Sequence, residues 1–225
     1  MTQVSFRVGA TECVFAIDQL IIAGWTGRER VTVEHHIEEL AAIGVKRPCT
    51  TPCFYRLGTS LLTTARKIDV VGVASSGEVE FVLLSTKNGI YVGVGSDHTD
   101  RRVEAYSVTV SKQMCPKPIG EELWGLTDVE SHWDRLILRS HVVRKGKRYL
   151  YQEGPVSKML SPQNLIEHFP DSPGSLRAGT VMYCGTLAVQ GEIGGGERFE
   201  IELHDPVRNQ RLQHEYATRR LDIED

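Results

Sequence analysis

Glu78, Glu80 and Asp97 are the residues of this chain whose types and spacing point most directly to chemistry. The two glutamates stand two apart in Gly77-Glu78-Val79-Glu80-Phe81-Val82-Leu83-Leu84, a segment that begins with alternation and ends apolar. Side chains two apart on a strand leave on the same face, which makes the carboxylates neighbours. Neighbouring carboxylates repel, at a cost that a cation or a base placed between them offsets. Such a pair is most often just a solvated strand face. Here Phe81 to Leu84 is too apolar for a strand left in water, which places the acids near the mouth of a core. Asp97 ends the return strand of a hairpin turned at Asn88-Gly89, where it can converge on the pair. Three carboxylates completed by water suit a hard ion such as Mg2+, Mn2+ or Ca2+.

The elements that must position these acids are mostly strands. Residues 3 to 25 read as two strands, VSFRV and CVFAIDQLIIAGW, joined at Gly9-Ala10-Thr11. A helix is expected over 28–44, with Val33, Ile37 and Leu40 at helical spacing and Gly44 as its stop. Lys46 to Pro52 is a loop, and Phe54 to Val73 reads as strands with a turn at Thr63 to Ala65. Thr99 can cap a helix running to Lys112, with Val103, Tyr106 and Val110 on one face. Lys145-Gly146-Lys147 turns a second hairpin whose many bases look solvated, and Ser161-Pro162 opens a short helix. The last third is strand-rich, with Gly194-Gly195-Gly196 expected as a hairpin turn. The fold class expected is α+β with β dominant.

Composition narrows the function. A length of 225 residues suits a single domain, and 40% hydrophobic with 24% charged residues is ordinary for a globular chain. A net charge of -3 with mixed signs offers no basic footprint, so no nucleic-acid partner is expected. No apolar run approaches the roughly 20 residues of a membrane span, and the N-terminus lacks a secretory layout. Five scattered cysteines without a CxxC fit reduced thiols, so a cytoplasmic protein is expected. Trp25, Trp124 and Trp133 are expected as core or interface anchors.

At the acidic residues the sequence resembles the fumarylacetoacetate hydrolase superfamily. Its E-x-E-L strand and N-D-x-S/T-x-R turn are similar to Glu78-Val79-Glu80-Phe81 and to Ser96-Asp97-His98-Thr99-Asp100-Arg101. Its H-x-x-E-L helix resembles His36-Ile37-Glu38-Glu39-Leu40, and its P-x-x-P-x-x-F-x-K loop resembles Pro48 to Arg56. Further along, Ser111-Lys112-Gln113-Met114-Cys115-Pro116, Ser161-Pro162 onward, Leu176 to Thr186 and Gly196 to Leu203 follow the family's order. The chain departs from the pattern at Ser96, His98, Arg56, Lys117 and Leu187, and only sixteen residues separate Glu80 from Asp97.

The resemblance implies one domain over 1–225 with a mixed β-sheet or β-roll core and a few short helices. Within it, 1–27 would be an N-terminal hairpin, 28–44 a lid helix and 45–225 the catalytic β core. It implies Mg2+ or Mn2+ (Ca2+ also fitting) on Glu78, Glu80 and Asp97, and hydrolytic carbon–carbon cleavage of a 1,3-dicarbonyl or acylpyruvate-type acid. Lys112 would stabilise developing charge, and His36 with Glu39 would activate water, with His35 and Glu38 as a competing pair. Arg56, Gly185 and Thr186 would hold a substrate carboxylate. A homodimer is expected by the same analogy. Decarboxylation, hydration or tautomerisation of a 2-oxo acid would use the same ion. Two other readings are a transition-metal site on His35 or His36 with His98 and Asp97, and a binding protein with a degraded pocket.

Overall fold

The computed structural model describes residues 2–31, 33–34, 37–38, 47–171 and 174–224. Its frame is an eight-stranded mixed sheet in the order Thr11–Ile17, Thr2–Val8, Glu122–Gly125, Gly89–Ser96, Val79–Thr86, Thr180–Tyr183, Gln19–Gly24, Cys53–Leu57. A five-stranded sheet packs against it, in the order Lys147–Pro155, Ile137–Arg144, Arg198–Asp205, Gln210–Leu221, Lys67–Val71. There are short helices at Arg101–Tyr106, Val108–Gln113 and Pro162–His168, and residues 30–31, 33–34 and 37–38 are helical. The architecture is α+β with strands dominant, as the patterning implies.

The strand Val79–Thr86 shows why its sequence turns fully apolar. Phe81 and Leu83 face the five-stranded sheet, in a core with Leu138, Ile201, Leu203 and Leu212. Val82 and Leu84 face the opposite way, into a second core with Phe6, Leu20, Ile22 and Tyr183. A strand covered on both faces needs apolar residues at both parities, each burial contributing about 1.5–3 kcal/mol. Glu80 shares the parity of Val82, so it projects on the side of the second core.

Several expected elements differ. The run from Cys13 to Trp25 is two strands, because the chain changes partners at Asp18. Thr11–Ile17 pairs antiparallel with Thr2–Val8, whereas Gln19–Gly24 runs parallel to Thr180–Tyr183. The amides of Asp18 and Gln19 both donate to the Gly179 carbonyl, at 2.8 and 3.1 Å, and fix the corner.

The helix expected from Thr99 is two helices. Asp100 is its cap, accepting from the amides of Arg102 and Val103, and the backbone at Ser107 is extended, so the helix restarts there under a second cap. The restart rotates the second helix: Tyr106 is 86% exposed, while Ser111 and Lys112 are buried. Gly194-Gly195-Gly196 does not turn a hairpin either. It lies in the irregular passage between Thr180–Tyr183 and Arg198–Asp205, which belong to different sheets, and Arg144 binds the Gly194 and Gly195 carbonyls at 2.8 and 2.9 Å. All five cysteines are free thiols.

Candidate metal centre

The acids are placed by one hairpin. Val79–Thr86 and Gly89–Ser96 pair antiparallel with Val79 opposite Ser96, and the Asp97 amide donates to the Glu78 carbonyl at 3.0 Å. Glu78 and Asp97 therefore extend the ladder by one rung, with Glu80 two residues inward. One carboxylate oxygen from each of Glu78, Glu80 and Asp97 lies within 4.8 Å of the others. Asp97 is fully buried, Glu80 is 2% exposed and the Glu78 side chain 18%.

Three cationic side chains surround them. The Lys112 ammonium donates to Asp97 Oδ2 and lies 3.9 Å from Glu78 Oε2. Lys117 Nζ is 3.2 Å from Asp97 Oδ1 and donates to the His98 carbonyl at 2.5 Å. Arg101 Nη2 is 3.1 Å from Glu78 Oε1. Of the cation or base expected to offset the repulsion, basic side chains supply much of the counter-charge. They supply it unevenly. Burial would raise the Asp97 carboxyl, but Lys112 and Lys117 outweigh it and bring the pKa down to about 2. Lys112 is held above its ordinary range against burial by Asp97 and Glu78. Glu80 goes the other way, pushed well up by burial and then by the charges of Asp97 and Glu78.

Glu80 is thus the carboxylate whose charge the protein does not match. Its oxygen Oε2 accepts the Gly185 amide at 2.6 Å. An all-oxygen donor set with one undercompensated buried carboxylate fits a hard divalent ion. Glu78, Glu80 and Asp97 are the residues that would hold it.

Of the other predicted residues, Gly185 reaches the centre and Thr186 adjoins it. Gly185 has a φ of +96°, and a Cβ there would overlap the Thr26 hydroxyl. The Thr186 hydroxyl donates to the Val79 carbonyl at 2.7 Å and accepts from Gln152 Nε2 at 2.8 Å. Arg56 is not brought to the acids. Tyr55 pairs with Ile22, which pairs with Tyr183 and then Val82, the row with Glu80's parity, whereas Arg56 lies in the row of Ile21, Met182 and Leu83. The strand register puts it on the opposite sheet face. It pairs there with Asp171, its side chain 63% exposed.

His98 is turned away as well. Its ring nitrogens meet the Tyr216 hydroxyl at 3.1 Å and the Ser75 hydroxyl at 3.0 Å, and burial, then Lys117 and Arg101, bring its pKa down to about 3. The histidine-based metal site therefore loses this ligand. His35, His36 and Glu39 lie outside the described residues; Glu38 is exposed.

Sequence reading missed several residues. Lys117 registers there only as an interruption between two prolines, with nothing to mark it as buried. Gln152 is fully buried with its amide saturated, accepting from the Val79 amide and Ser140 hydroxyl and donating to Thr186 and the Leu187 carbonyl. A polar residue in a strand otherwise reading as a solvated hairpin gave no signal. Tyr55 lies with its ring centroid 5.9 Å from Lys112 Nζ, and its phenol bonds with Trp25, whose backbone is left-handed at φ 58°.

The two sheets have the fold of solved structures of the fumarylacetoacetate hydrolase family. Among solved structures, a proposed fumarylpyruvate hydrolase from Burkholderia cenocepacia superposes with a TM-score of 0.67 at 15% identity, over 98% of this chain and 96% of that one. The yeast protein ynq8, of the fumarylacetoacetate hydrolase family, gives 0.65 at 20% identity, over 93% and 97%. A 2-keto-3-deoxyarabinonate dehydratase gives 0.65 at 16% identity, over 96% and 79%. No curated protein matches the sequence. The chain belongs to the family described as "Protein of unknown function (DUF2848)", whose model matches residues 23–216. No helix among the described residues is long and apolar enough to cross a membrane.

Proposed function

We propose that this chain is a divalent-metal-dependent hydrolase that cleaves a carbon–carbon bond in an acylpyruvate-type 1,3-dicarbonyl acid. The observation that carries the reading is the convergence of Glu78, Glu80 and Asp97 within 4.8 Å, with Lys112 against them and Glu80 left without a matched charge. Mg2+ or Mn2+ held there would polarise a chelating dicarbonyl and favour departure of an enolate.

The chain's own groups supply the rest. Lys112 is the ammonium closest to the acids that is not fully enclosed, so it stands where developing negative charge needs a donor. The Gly185 amide fixes Glu80, and Gln152 fixes Thr186 beside it, so the turn that follows Thr180–Tyr183 is rigid where a substrate carboxylate would dock. His36 and Glu39 remain the proposed water-activating pair. The proposal includes a cytoplasmic homodimer.

A second reading, 2-oxo acid decarboxylation or dehydration at the same ion, is favoured by the likeness to the dehydratase structure. One experiment tests both. Metal-stripped protein is incubated with Mg2+ or Mn2+ against a panel of acylpyruvates, oxaloacetate and 2-keto-3-deoxy acids. Ion-dependent cleavage of an acylpyruvate, lost in His36→Ala, supports hydrolysis; turnover of oxaloacetate or a deoxy acid that survives this substitution supports the second reading. No turnover on the panel, with bound ion demonstrated, overturns the enzyme proposal in favour of a binding protein.

A further inference from the structure

Lys117 is the most enclosed cationic side chain among the described residues. Its side chain has no solvent exposure, it stands between Pro116 and Pro118, and its short ribbon pairs parallel with Leu62–Thr63. Burying an ammonium is costly unless fixed partners receive its protons. Its partners are the His98 carbonyl at 2.5 Å and Asp97 Oδ1 at 3.2 Å. The Thr99 hydroxyl lies 3.1 Å from the Asp97 carbonyl and 3.3 Å from Asp97 Oδ1.

A carboxylate oxygen offers two lone-pair directions. Asp97 Oδ1 meets Lys117 and shares the single Thr99 hydroxyl proton with the Asp97 carbonyl. Asp97 Oδ2 meets Lys112 alone and keeps one direction open. Glu80 Oε2 accepts the Gly185 amide and Glu78 Oε1 faces Arg101, one partner each, so both oxygens keep a direction open. Asp97 is therefore the acid with one oxygen most occupied, and it presents Oδ2 to whatever sits between the three. Mg2+ requires six ligands in near-octahedral array at about 2.0–2.1 Å and is satisfied by single oxygens and water. Ca2+ takes about 6–8 and gains most from carboxylates that bind through both oxygens.

We propose that Lys117, with Thr99, confines Asp97 to single-oxygen coordination and thereby sets the preference of the centre for a small octahedral ion over calcium. The inference rests on the metal-centre reading above. Lys117 acts through Asp97 and is a positioning residue. Its charge alone would weaken all divalent ions equally, so the ratio of affinities, rather than their level, reports the effect.

The test is calorimetric titration of metal-stripped protein with Mg2+, Mn2+ and Ca2+, for wild type, Lys117→Met and Thr99→Val. In both variants the Kd ratio of calcium to magnesium should move toward calcium, by about tenfold for Lys117→Met and less for Thr99→Val. Equal tightening of all ions in Lys117→Met, with the ratio unchanged in both variants, overturns the inference and leaves the metal centre standing. Absence of any divalent binding by the wild type overturns the metal-centre reading itself. Should Lys117→Met fail to fold, the ratio in Thr99→Val decides.

Discussion

The Asp97 amide donates to the Glu78 carbonyl at 3.0 Å, so two of the three clustered acids are neighbours on one hydrogen-bonded rung. Their separation is set by sheet geometry rather than by loop conformation, and Glu80 follows from the two-residue period of the strand. A site built on rungs is organised before anything binds, and its repulsion is carried permanently by the fold. That repulsion can be measured.

Glu80→Gln should make the metal-free protein more stable at neutral pH. The Glu80 carboxyl is held well above its ordinary range by burial, Asp97 and Glu78. Its contribution to stability is intact below the unfolded value of about 4.3 and is lost as pH rises toward the folded value. Glutamine ionises nowhere and can still accept the Gly185 amide. In EDTA at pH 7 the variant should melt above wild type, yet lose the rise in Tm that Mg2+ or Mn2+ gives wild type. A full ion-induced rise in the variant would remove Glu80 from the centre.

Gly185→Ala tests the turn that holds Glu80. The residue sits at φ +96°, and its new Cβ would overlap the Thr26 hydroxyl. Backbone strain and overlap together should cost about 3 kcal/mol or more, a fall of about 6 °C or more in Tm for a chain of this size. Adding Thr26→Ala should recover part of the loss, since the overlap goes and the strained backbone remains. A single variant as stable as wild type would show that the turn relaxes freely.

Arg56→Ala should do little. The guanidinium is on the sheet face opposite Glu80 and forms an exposed pair with Asp171. Such pairs contribute about 0–1 kcal/mol. Tm should change by about 4 °C at most, and KM for the substrate found in the panel by less than about twofold. A tenfold rise in KM would return Arg56 to the pocket.

These cases show what was legible in the sequence. The E-x-E spacing, the Asn88-Gly89 turn and the position of Asp97 are local facts, and a two-residue period with a tight turn carries them into three dimensions. The capped helix at Ser161-Pro162 is equally local. The partner change at Asp18 was not, because one apolar run serves equally for a long strand or for two strands with different partners. Lys117 and Gln152 were illegible for a related reason. Their burial is set by residues far away in the chain, Asp97 with the His98 carbonyl and the Val79 amide with Thr186. The placement of Arg56 depended on strand register, where a shift of one residue exchanges the two faces.

His98 gives the last prediction. Its imidazole is fully buried between Tyr216 and Ser75, packs edge-on against Phe199 and Tyr216, and has its pKa brought down to about 3 by burial, Lys117 and Arg101. The unfolded chain takes up a proton near 6.5, and the folded one does not until near 3. Between those values the unfolded state binds more protons, so stability falls as pH falls, with a total approaching ~5 kcal/mol by pH 3. His98→Gln removes that slope, while costing about 1–3 kcal/mol at pH 7 because Tyr216 and Ser75 lose a well-placed partner. Urea unfolding of the metal-stripped proteins from pH 7 to pH 4 should therefore show the two stabilities converging as the solution is acidified. Parallel curves would mean that the folded imidazole takes up its proton as readily as the unfolded one, which on acidification would give the buried cluster behind Asp97 a positive charge and require a different account of how that aspartate is held.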